Sequence, residues 1–301
     1  MRVFEALKQS KEKLESKGVS NGGLDSRILL AHALLVSKDW VIFNPDFTLN
    51  QKQKEVFFEL VNRRANREPI SHLTNKREFF GEDFLVNKDV LDPRPDSEIL
   101  IETALKYLAK NFAPSNSNSQ QMPSDNPTNP TERKIKILEL GVGSGCLIIT
   151  LLKAFRNATG TAVDISQPAI KIAQKNSENH QVFSRLKILK SDLFSNLNRA
   201  EKFDLIISNP PYIPAAEIEM LAPEVRIYEP RAALDGGIDG LDFYRRIAAE
   251  AKNFLNDCGA IFVEIGYGQE KLVSEIFVKN GFSHLSSSLD LSGVTRVLQF
   301  K

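Results

Sequence analysis

The feature that most constrains the fold is a strand, a glycine-rich loop, a helix and a second strand that follow one another along the chain. Ile135–Leu140 and residues 160–163 are apolar runs typical of buried strands, residues 146–155 have helical spacing, and the loop at 141–145 connects the first strand to the helix. Further strand patterns alternate with helices until the last pair, and they lie at 186–189, 203–207, 260–264, 284–289 and 294–300. The sequence therefore predicts an α/β domain with a mostly parallel sheet, helices on both faces and a closing antiparallel hairpin.

The rest of the chain divides into segments of different pattern. Residues 1–75 have helical periodicity with three apolar faces, which predicts a small helical bundle. Residues 76–95 alternate short apolar stretches with turn residues and predict a β-hairpin linker, so the α/β domain is assigned to 96–301. Residues 113–132 within that domain have almost nothing apolar to bury, and we expect a mobile surface loop there.

Composition excludes several classes of protein. Lys and Arg number 39 and Asp and Glu 38, so the net charge of +1 lacks the basic excess of a protein that binds mainly by neutralising duplex phosphates. No apolar run approaches the ~20 residues that span a bilayer, and the first residues lack the plan of a secretory signal, so we expect a cytoplasmic protein. The four histidines share no metal-ligand spacing, so no metal site is predicted.

The spacing of the glycine loop excludes two familiar classes of ligand site. A dinucleotide fingerprint would need its third glycine at position 146, and a phosphate-binding P-loop would need Gly-Lys-Ser/Thr. Glycines without a Cβ atom still allow a ligand to lie against the main chain. The loop residues expected to contact such a ligand are Gly141, Val142, Gly143, Ser144 and Gly145.

Acidic residues at three successive strand ends indicate which ligand the loop holds. Glu139 ends the first strand, Asp164 ends the second, and Asp192 with Leu193 follows the third. Three carboxylates repel a pyrophosphate but suit a sulfonium, an ammonium, ribose hydroxyls and an exocyclic amine, all of which S-adenosylmethionine carries. In this interpretation Asp164 binds the ribose and Asp192 with Leu193 frames the adenine. The alternative is that acids at strand ends only cap helices.

The tetrapeptide Asn209, Pro210, Pro211, Tyr212 follows a buried-strand pattern, where α/β folds bind their ligands. Two consecutive prolines cannot extend a central strand, so these residues form a stiff loop. The Asn209 side-chain oxygen and the Pro210 carbonyl can each accept a hydrogen bond, and Tyr212 offers a flat face. The loop can therefore grip a planar –NH2 group, such as an amide or an amino-base edge, at both hydrogens.

Together these motifs resemble, over nearly the whole chain, the glutamine N5-methyltransferases that modify peptide chain release factors. The resemblance rests on residues 67–70, 94–98, 139–145, 209–212, 229–234, 236–241 and 264–267, with Asp164 and Asp192. It implies a class I S-adenosylmethionine-dependent methyltransferase fold, which is Rossmann-like, and S-adenosylmethionine as cofactor. It also implies that the substrate is the glutamine of the Gly-Gly-Gln motif of release factors, which the N-terminal helical domain docks.

The resemblance assigns roles to individual residues. Asn209, Pro210 and Tyr212 are the expected catalytic residues, and Asn209 also borders the cofactor. Pro211 and Arg231 are expected to bind substrate together with them, although a structural ion pair with a nearby acid is an equal alternative for Arg231. We find no convincing general base, and the methylated amide is acidic enough to lose its proton after methyl transfer.

Two other functions fit parts of the pattern. An adenine-N6 methyltransferase acting on DNA or RNA would present the same –NH2 group, but it needs a basic track and a way to flip out the base. The basic residues here are scattered, as in Arg63, Arg64, Arg67, Lys76 and Arg77. A non-catalytic S-adenosylmethionine-binding adaptor has no use for a double amide acceptor. We therefore expect release factors as partners, with no membrane and no sequence-specific nucleic-acid binding.

Overall fold

The structure is a computed structural model that describes residues 1–112 and 134–301, so the loop predicted at 113–132 lies outside the described residues. Contacts divide the chain into two compact units. The N-terminal unit comprises Met1–Arg77, Val86–Lys88 and Glu219–Glu229. The larger unit comprises Glu78–Leu85, Asp89–Ile218 and Pro230–Lys301.

Residues 1–112 and 134–301 form the following helices and strands. The helices are α1 (Val3–Ser16), α2 (Gly22–Leu34), α3 (Lys38–Phe43), α4 (Gln51–Ala65), α5 (Ile70–Thr74), α6 (Glu98–Phe112), α7 (Cys146–Ala154), α8 (Gln167–Asn179), α9 (Pro223–Tyr228), α10 (Asp242–Ala251) and α11 (Glu270–Lys279). The strands are β1 (Lys76–Phe79), β2 (Glu82–Leu85), β3 (Ile135–Leu140), β4 (Ala158–Asp164), β5 (Leu186–Lys190), β6 (Phe203–Ser208), β7 (Leu255–Glu264), β8 (His284–Leu289) and β9 (Thr295–Phe300). Among these helices, none is both long and apolar enough to cross a membrane.

The N-terminal unit is a helical bundle, which confirms the prediction from periodicity. The three predicted apolar faces belong to α1, α2 and α4, and Leu14, Leu30 and Phe57 on these helices are fully buried in one core. Helix α4 begins at a capping box, because Asn50 and Gln53 each accept the other's backbone N–H at 2.9 Å. The short helices α3 and α5 were not distinguished by the sequence pattern.

The segment Glu219–Glu229 packs with the N-terminal helices although it lies far along the chain. Glu224 accepts hydrogen bonds from Arg67 (Nε at 2.6 Å and Nη2 at 2.8 Å) and from Arg64 Nη1 at 3.0 Å. Arg64 also donates to Asp25 at 2.7 Å. The predicted boundaries assign this segment to the α/β domain, whereas these ion pairs hold it in the N-terminal unit. The division at residues 75 and 95 itself stays a prediction.

The larger unit is built on a seven-stranded sheet in the order β5-β4-β3-β6-β7-β9-β8. The first five strands in that order run parallel, and β9 is antiparallel to both β7 and β8, as the sequence predicts. Chain order reverses at β3, whose neighbours are β4 and β6. Ligands of open α/β sheets bind beyond the carboxyl ends of the strands at such a reversal.

Helices cover both faces of the sheet and create two cores. One core contains Leu100 of α6 and Ile148 of α7, and the other contains Tyr244 of α10 and Phe277 of α11. Strand β7 begins earlier than the predicted 260–264, because Leu255 pairs with the start of β6 across an irregular register. The polar stretch before residue 260 carries no strand pattern of its own, so only the pairing with β6 extends the strand.

Candidate active site

The glycine loop between β3 and α7 is held against the end of β4 by its backbone. Gly141 and Val142 both donate their N–H groups to the Val163 carbonyl at 2.9 Å. Gly143 donates to Asp164 Oδ2, also at 2.9 Å, and Ser166 N donates to Asp164 Oδ1 at 2.8 Å. Asp164 therefore shapes the loop as well as standing at the strand end where the sequence places it.

Gly145 is a glycine because of its position at the start of α7. Its φ of +82° lies in the left-handed region, and a Cβ atom there would stand 2.9 Å from Ile149 Cδ1 and 3.3 Å from Ala173 Cβ. The residue thus lets α7 pack closely on α8. It does not line the cavity described below, and its predicted role in binding the cofactor stays a prediction.

Asn176 on α8 connects the glycine loop to the hairpin, a role that sequence reasoning missed. The side chain is fully buried, and its Nδ2 donates to the Ser144 carbonyl at 2.8 Å. The same amide pairs with the backbone of Leu85, accepting from N at 2.8 Å and donating to O at 2.9 Å. The available signal is an asparagine at helical spacing from the apolar Ile170 and Ala173 of the same helix.

The other two predicted acids occupy different environments. Glu139 is buried, and burial raises the pKa of its carboxyl well above the ordinary value, although Ile148 N donates to it at 3.2 Å. Asp192 is half-exposed and accepts from Arg246 Nη2 at 2.7 Å. A cation in the cavity would favour the charged form of Glu139, and Asp192 remains accessible beside the buried Leu193.

The tetrapeptide 209–212 follows β6 directly. Asn209 Nδ2 donates to Ser97 Oγ at 3.1 Å, so the other end of this amide, Oδ1, is the acceptor available to a ligand. The Tyr212 carbonyl accepts from Gln269 Nε2 at 2.9 Å, while Gln269 Oε1 accepts from Gly266 N at 2.9 Å. Gln269 therefore fixes the far end of the tetrapeptide, and nothing in the local sequence indicated this.

A fourth strand-end acid, Glu264, lies among these groups. It ends β7, is buried, and its carboxyl interacts with the side chains of Ser97 and Asn209. Burial raises the pKa of Glu264 to about 7 against the lowering effect of Ser97, Arg296 and Asn209. Burial, followed by the charge of Glu264, also raises the pKa of Tyr212 to about 12. The signal that could have found Glu264 is the same one that found Glu139 and Asp164, an acid at the end of a buried strand.

These elements surround a cavity of about 200 Å³, much larger than the ~15 Å³ that one water molecule needs. Most of the predicted site residues line it, namely Glu139, Gly141, Val142, Gly143, Ser144, Asp164, Asp192, Leu193, Asn209 and Pro211. The predicted residues that do not line it are Gly145, Pro210, Tyr212 and Arg231. Lining residues that the sequence analysis did not assign include Val90, Arg94, Ser97, Ile165 and Phe243.

Arg231 forms an ion pair with a nearby acid, as the second of its two interpretations expects. Its Nε lies 3.3 Å from Asp235 Oδ2, and its side chain is largely exposed. The neighbouring Pro230, Ala232 and Ala233 do line the cavity. A role of Arg231 in substrate binding stays a prediction.

The residues around the cavity fit S-adenosylmethionine. Carboxylates at Glu139, Asp164 and Asp192 can pair with an ammonium and with hydroxyl and amino groups, and the lining between them is apolar at Ile165 and Phe243. The glycine loop provides backbone that a ligand can approach without a side chain intervening.

Comparison with known proteins identifies the family. Residues 5–74 match the sequence profile of the PrmC N-terminal domain, and residues 126–238 match that of the methyltransferase small domain. The release factor glutamine methyltransferase of Geobacter sulfurreducens is 40% identical over 285 residues, which are 95% of this chain and 91% of that protein. The chain belongs to the release factor glutamine methyltransferase family.

Some relatives of this family member are longer. The bifunctional methyltransferases of Rickettsia bellii and Rickettsia felis are 40% and 39% identical over 97% and 99% of this chain, but over only 53% and 58% of those proteins. The chain therefore spans little more than half the length of these relatives.

Solved structures share the fold. A methyltransferase from Pyrococcus furiosus is similar with a TM-score of 0.50 at 18% identity, over 79% of this chain and 97% of that one. The hMettl16 catalytic domain in complex with MAT2A 3′UTR hairpin 6 gives 0.55 at 14% identity, over 81% and 82%. With the family match, these confirm the predicted class I S-adenosylmethionine-dependent methyltransferase fold. The family and the fold imply S-adenosylmethionine as the cofactor, in agreement with the sequence analysis.

Proposed function

We propose that this chain transfers a methyl group from S-adenosylmethionine to the side-chain amide nitrogen, N5, of the glutamine in the Gly-Gly-Gln motif of peptide chain release factors. This activity would support translation termination in the cytoplasm. The observation that carries the proposal is the orientation of Asn209, which lines the cavity and whose Nδ2 is engaged by Ser97, so that Oδ1 is the end of the amide left as an acceptor. Membership of the family supports the choice of substrate.

The reaction requires that a weak nucleophile be placed and polarised. The amide lone pair is delocalised into its carbonyl, and S-adenosylmethionine supplies an electrophilic methyl group on a sulfonium. Placing reactants in line is worth ~7–11 kcal/mol in favourable intramolecular models. Acceptance of the two amide hydrogens by Asn209 Oδ1 and the Pro210 carbonyl raises electron density at nitrogen, and both bonds strengthen as positive charge develops there.

The rigidity of the tetrapeptide is what would make this placement effective. Pro210 and Pro211 have fixed φ angles, and Gln269 holds the Tyr212 carbonyl at 2.9 Å. Tyr212 would pack its ring on the planar amide and limit its rotation. Its raised pKa keeps the hydroxyl neutral at physiological pH, so Tyr212 would not serve as a general base.

Methylation of adenine N6 in a nucleic acid is the second candidate, because an adenine amino group would also suit Asn209. The pairing of basic side chains with acids disfavours binding of a nucleic acid. Arg63, Arg64 and Arg67, which could have formed part of a track, are paired with acids, since Arg63 lies 2.5 Å from Glu68 and both Arg64 and Arg67 bind Glu224. Paired guanidinium groups have less capacity to bind phosphates. The likeness to the hMettl16 complex reflects the fold and does not bear on substrate.

The proposal is tested by incubating the purified chain with S-adenosylmethionine labelled in its methyl group, together with a release factor or duplex DNA. We expect label in the release factor, and none when the glutamine of its Gly-Gly-Gln motif is replaced. Labelling of DNA without labelling of release factor would refute the proposal. Binding of the cofactor without transfer to either would favour the adaptor.

The role of Asn209 has its own test. We expect Asn209→Ala to keep its affinity for S-adenosylmethionine, measured by calorimetry, and to lose most of its turnover, because the acceptor for the substrate amide is gone. Asn198→Ala makes the same change at an exposed asparagine of the same unit and serves as the control. Unchanged turnover of Asn209→Ala would remove the amide-grip mechanism.

A further inference from the structure

We propose that Glu264 is a positioning residue that determines which end of the Asn209 amide faces the substrate. The inference rests on the proposed function, in which Asn209 must offer an oxygen to a glutamine –NH2 group. It concerns a side chain that does not line the cavity and would act only through Asn209 and Ser97.

The two ends of an asparagine amide are alike in size and opposite in hydrogen bonding. Oδ1 only accepts and Nδ2 only donates, so packing by itself distinguishes them poorly. A glutamine –NH2 group has two hydrogen-bond donors. A flipped Asn209 would present its own two N–H donors to them and no acceptor. The orientation of this amide therefore has to be imposed from the side that faces away from the cavity.

Glu264 and Ser97 impose it by accepting hydrogen bonds. Ser97 Oγ accepts from Asn209 Nδ2 at 3.1 Å, and the pairing of Ser208 with Val263 in the sheet places Asn209 beside Glu264, whose carboxyl interacts with both side chains. An ionised carboxylate is an acceptor only. A flip of Asn209 would turn Oδ1 towards this carboxylate, lose the bond from Nδ2 to Ser97 and place two oxygens together, so the ionised Glu264 selects the orientation with Oδ1 towards the cavity.

The burial of Glu264 is otherwise unexplained. Its Oε2 is buried without a hydrogen-bond partner among the described residues, although a buried carboxylate ordinarily has several. The Tyr244 hydroxyl donates to the backbone carbonyl of Glu264, at 2.8 Å, and leaves the side chain unchanged. A costly buried acid that contacts the amide-gripping residue is better accounted for by a role in positioning than by stability.

The charged and titratable groups around Glu264 come from several elements. Arg296 on β9 favours its charged form, whereas Asp96, before α6, opposes it. Arg296 is shared, because it also pairs with Asp96 at 2.9 Å and with Asp290 at 2.8 Å. Tyr212 lies in the tetrapeptide, and its raised pKa keeps it neutral; Tyr244 on α10 is likewise held neutral by burial.

The consequence is a pH dependence of turnover. With the pKa of Glu264 at about 7, the carboxyl gains a proton as pH falls through neutrality and becomes able to donate. A protonated Glu264 can donate to Oδ1 of a flipped Asn209, so the carboxyl no longer disfavours the flipped orientation. We expect kcat to fall below about pH 7 while the dissociation constant of S-adenosylmethionine changes little.

The decisive variant is Glu264→Gln, which keeps the shape and supplies a donor at every pH. We expect kcat at pH 8 to fall about tenfold to hundredfold, the factor that a hydrogen bond to a charged group supplies, and the step near pH 7 to disappear. Glu264→Asp retains a carboxylate and should recover both part of the rate and the pH step. Glu275→Gln makes the same change on the exposed side of α11 and should behave as the unmodified chain.

A readout independent of activity separates this inference from the proposed function. In protein labelled with 15N asparagine, the side-chain amide resonances of Asn209, identified by their loss in Asn209→Ala, should shift with a midpoint near pH 7 and should not do so in Glu264→Gln. Ser97→Ala is the second variant if Glu264→Gln does not fold, and it should lower kcat without weakening cofactor binding.

The outcomes are distinct. If the unmodified chain labels no release factor, the proposed function fails while the amide resonances still test the positioning. If Glu264→Gln retains the rate and the pH profile of the unmodified chain, or if the Asn209 resonances do not respond to pH, Glu264 does not position the amide.

Discussion

Replacement of Glu264 by glutamine is expected to change how the stability of the larger unit depends on pH. The pKa of Glu264 is raised from its ordinary 4.5 to about 7 in the folded protein, chiefly by burial. Between these values the unfolded chain releases a proton that the folded chain retains, so stability falls as pH rises through this window. The full loss of folding free energy from the raised pKa of Glu264 is present above pH 7, and below pH 4.5 there is no loss.

The magnitude follows from the shift. A difference of roughly 2.5 pKa units at 1.36 kcal/mol per unit corresponds to about 3 kcal/mol of free energy of unfolding. Glutamine has no proton to release, so the variant lacks this cost. Between pH 5 and pH 8, the free energy of unfolding of Glu264→Gln should therefore gain about 2 to 3 kcal/mol relative to that of the unmodified chain. Glu139, also buried with a raised pKa, is present in both proteins and cancels.

The assay is urea denaturation at several pH values, followed by far-ultraviolet circular dichroism. Fluorescence of the only tryptophan, Trp40, would report on the N-terminal unit and not on the unit that holds Glu264. Glu275→Gln, at an exposed position, controls for the loss of one charge. If the unmodified chain and Glu264→Gln show parallel pH dependence, the carboxyl is not the buried, proton-retaining group that the structure indicates.

Three further predictions concern other parts of the molecule. Gly240→Ala should lower kcat, because a Cβ atom there would stand 2.3 Å from the Tyr212 carbonyl oxygen. Gly268→Ala is the control for backbone strain, because Gly268 has the same φ of about +76° and a Cβ atom there would meet nothing within 4 Å. Equal activity of the two variants would contradict this reasoning. Glu224→Gln should destabilise the N-terminal unit by ~1–3 kcal/mol, because it weakens the hydrogen bonds from Arg64 and Arg67. The measurement is Trp40 fluorescence in urea, and an unchanged free energy of unfolding would mean that the segment Glu219–Glu229 is held by apolar packing. Asp164→Ala should weaken S-adenosylmethionine binding at least tenfold in calorimetry, because it frees Gly143 N as well as removing a ligand group, and unaltered affinity would exclude Asp164 from the site.

Local pattern was enough to predict most of the architecture and much of the cavity lining. The parallel strands, the closing antiparallel pair and the glycine loop follow from runs of apolar residues and from glycines at fixed spacing, which act over a few residues. Glu139, Asp164 and Asn209 could be placed at one edge of the sheet because the carboxyl ends of parallel strands meet there. Two consecutive prolines similarly fixed the loop after β6 without reference to the rest of the chain.

Only the tertiary structure decided what these residues contact. Ser97 and Asn209 are 112 residues apart, Asn176 and Leu85 are 91 apart, and Glu224 lies 157 residues from Arg67. Such pairs leave no periodicity in the sequence, because packing of separate elements brings them together and each residue alone is compatible with an ordinary surface position. The end of the Asn209 amide that Ser97 engages, the raised pKa of Glu264 and the unit to which Glu219–Glu229 belongs are all set by burial and by partners distant in the chain.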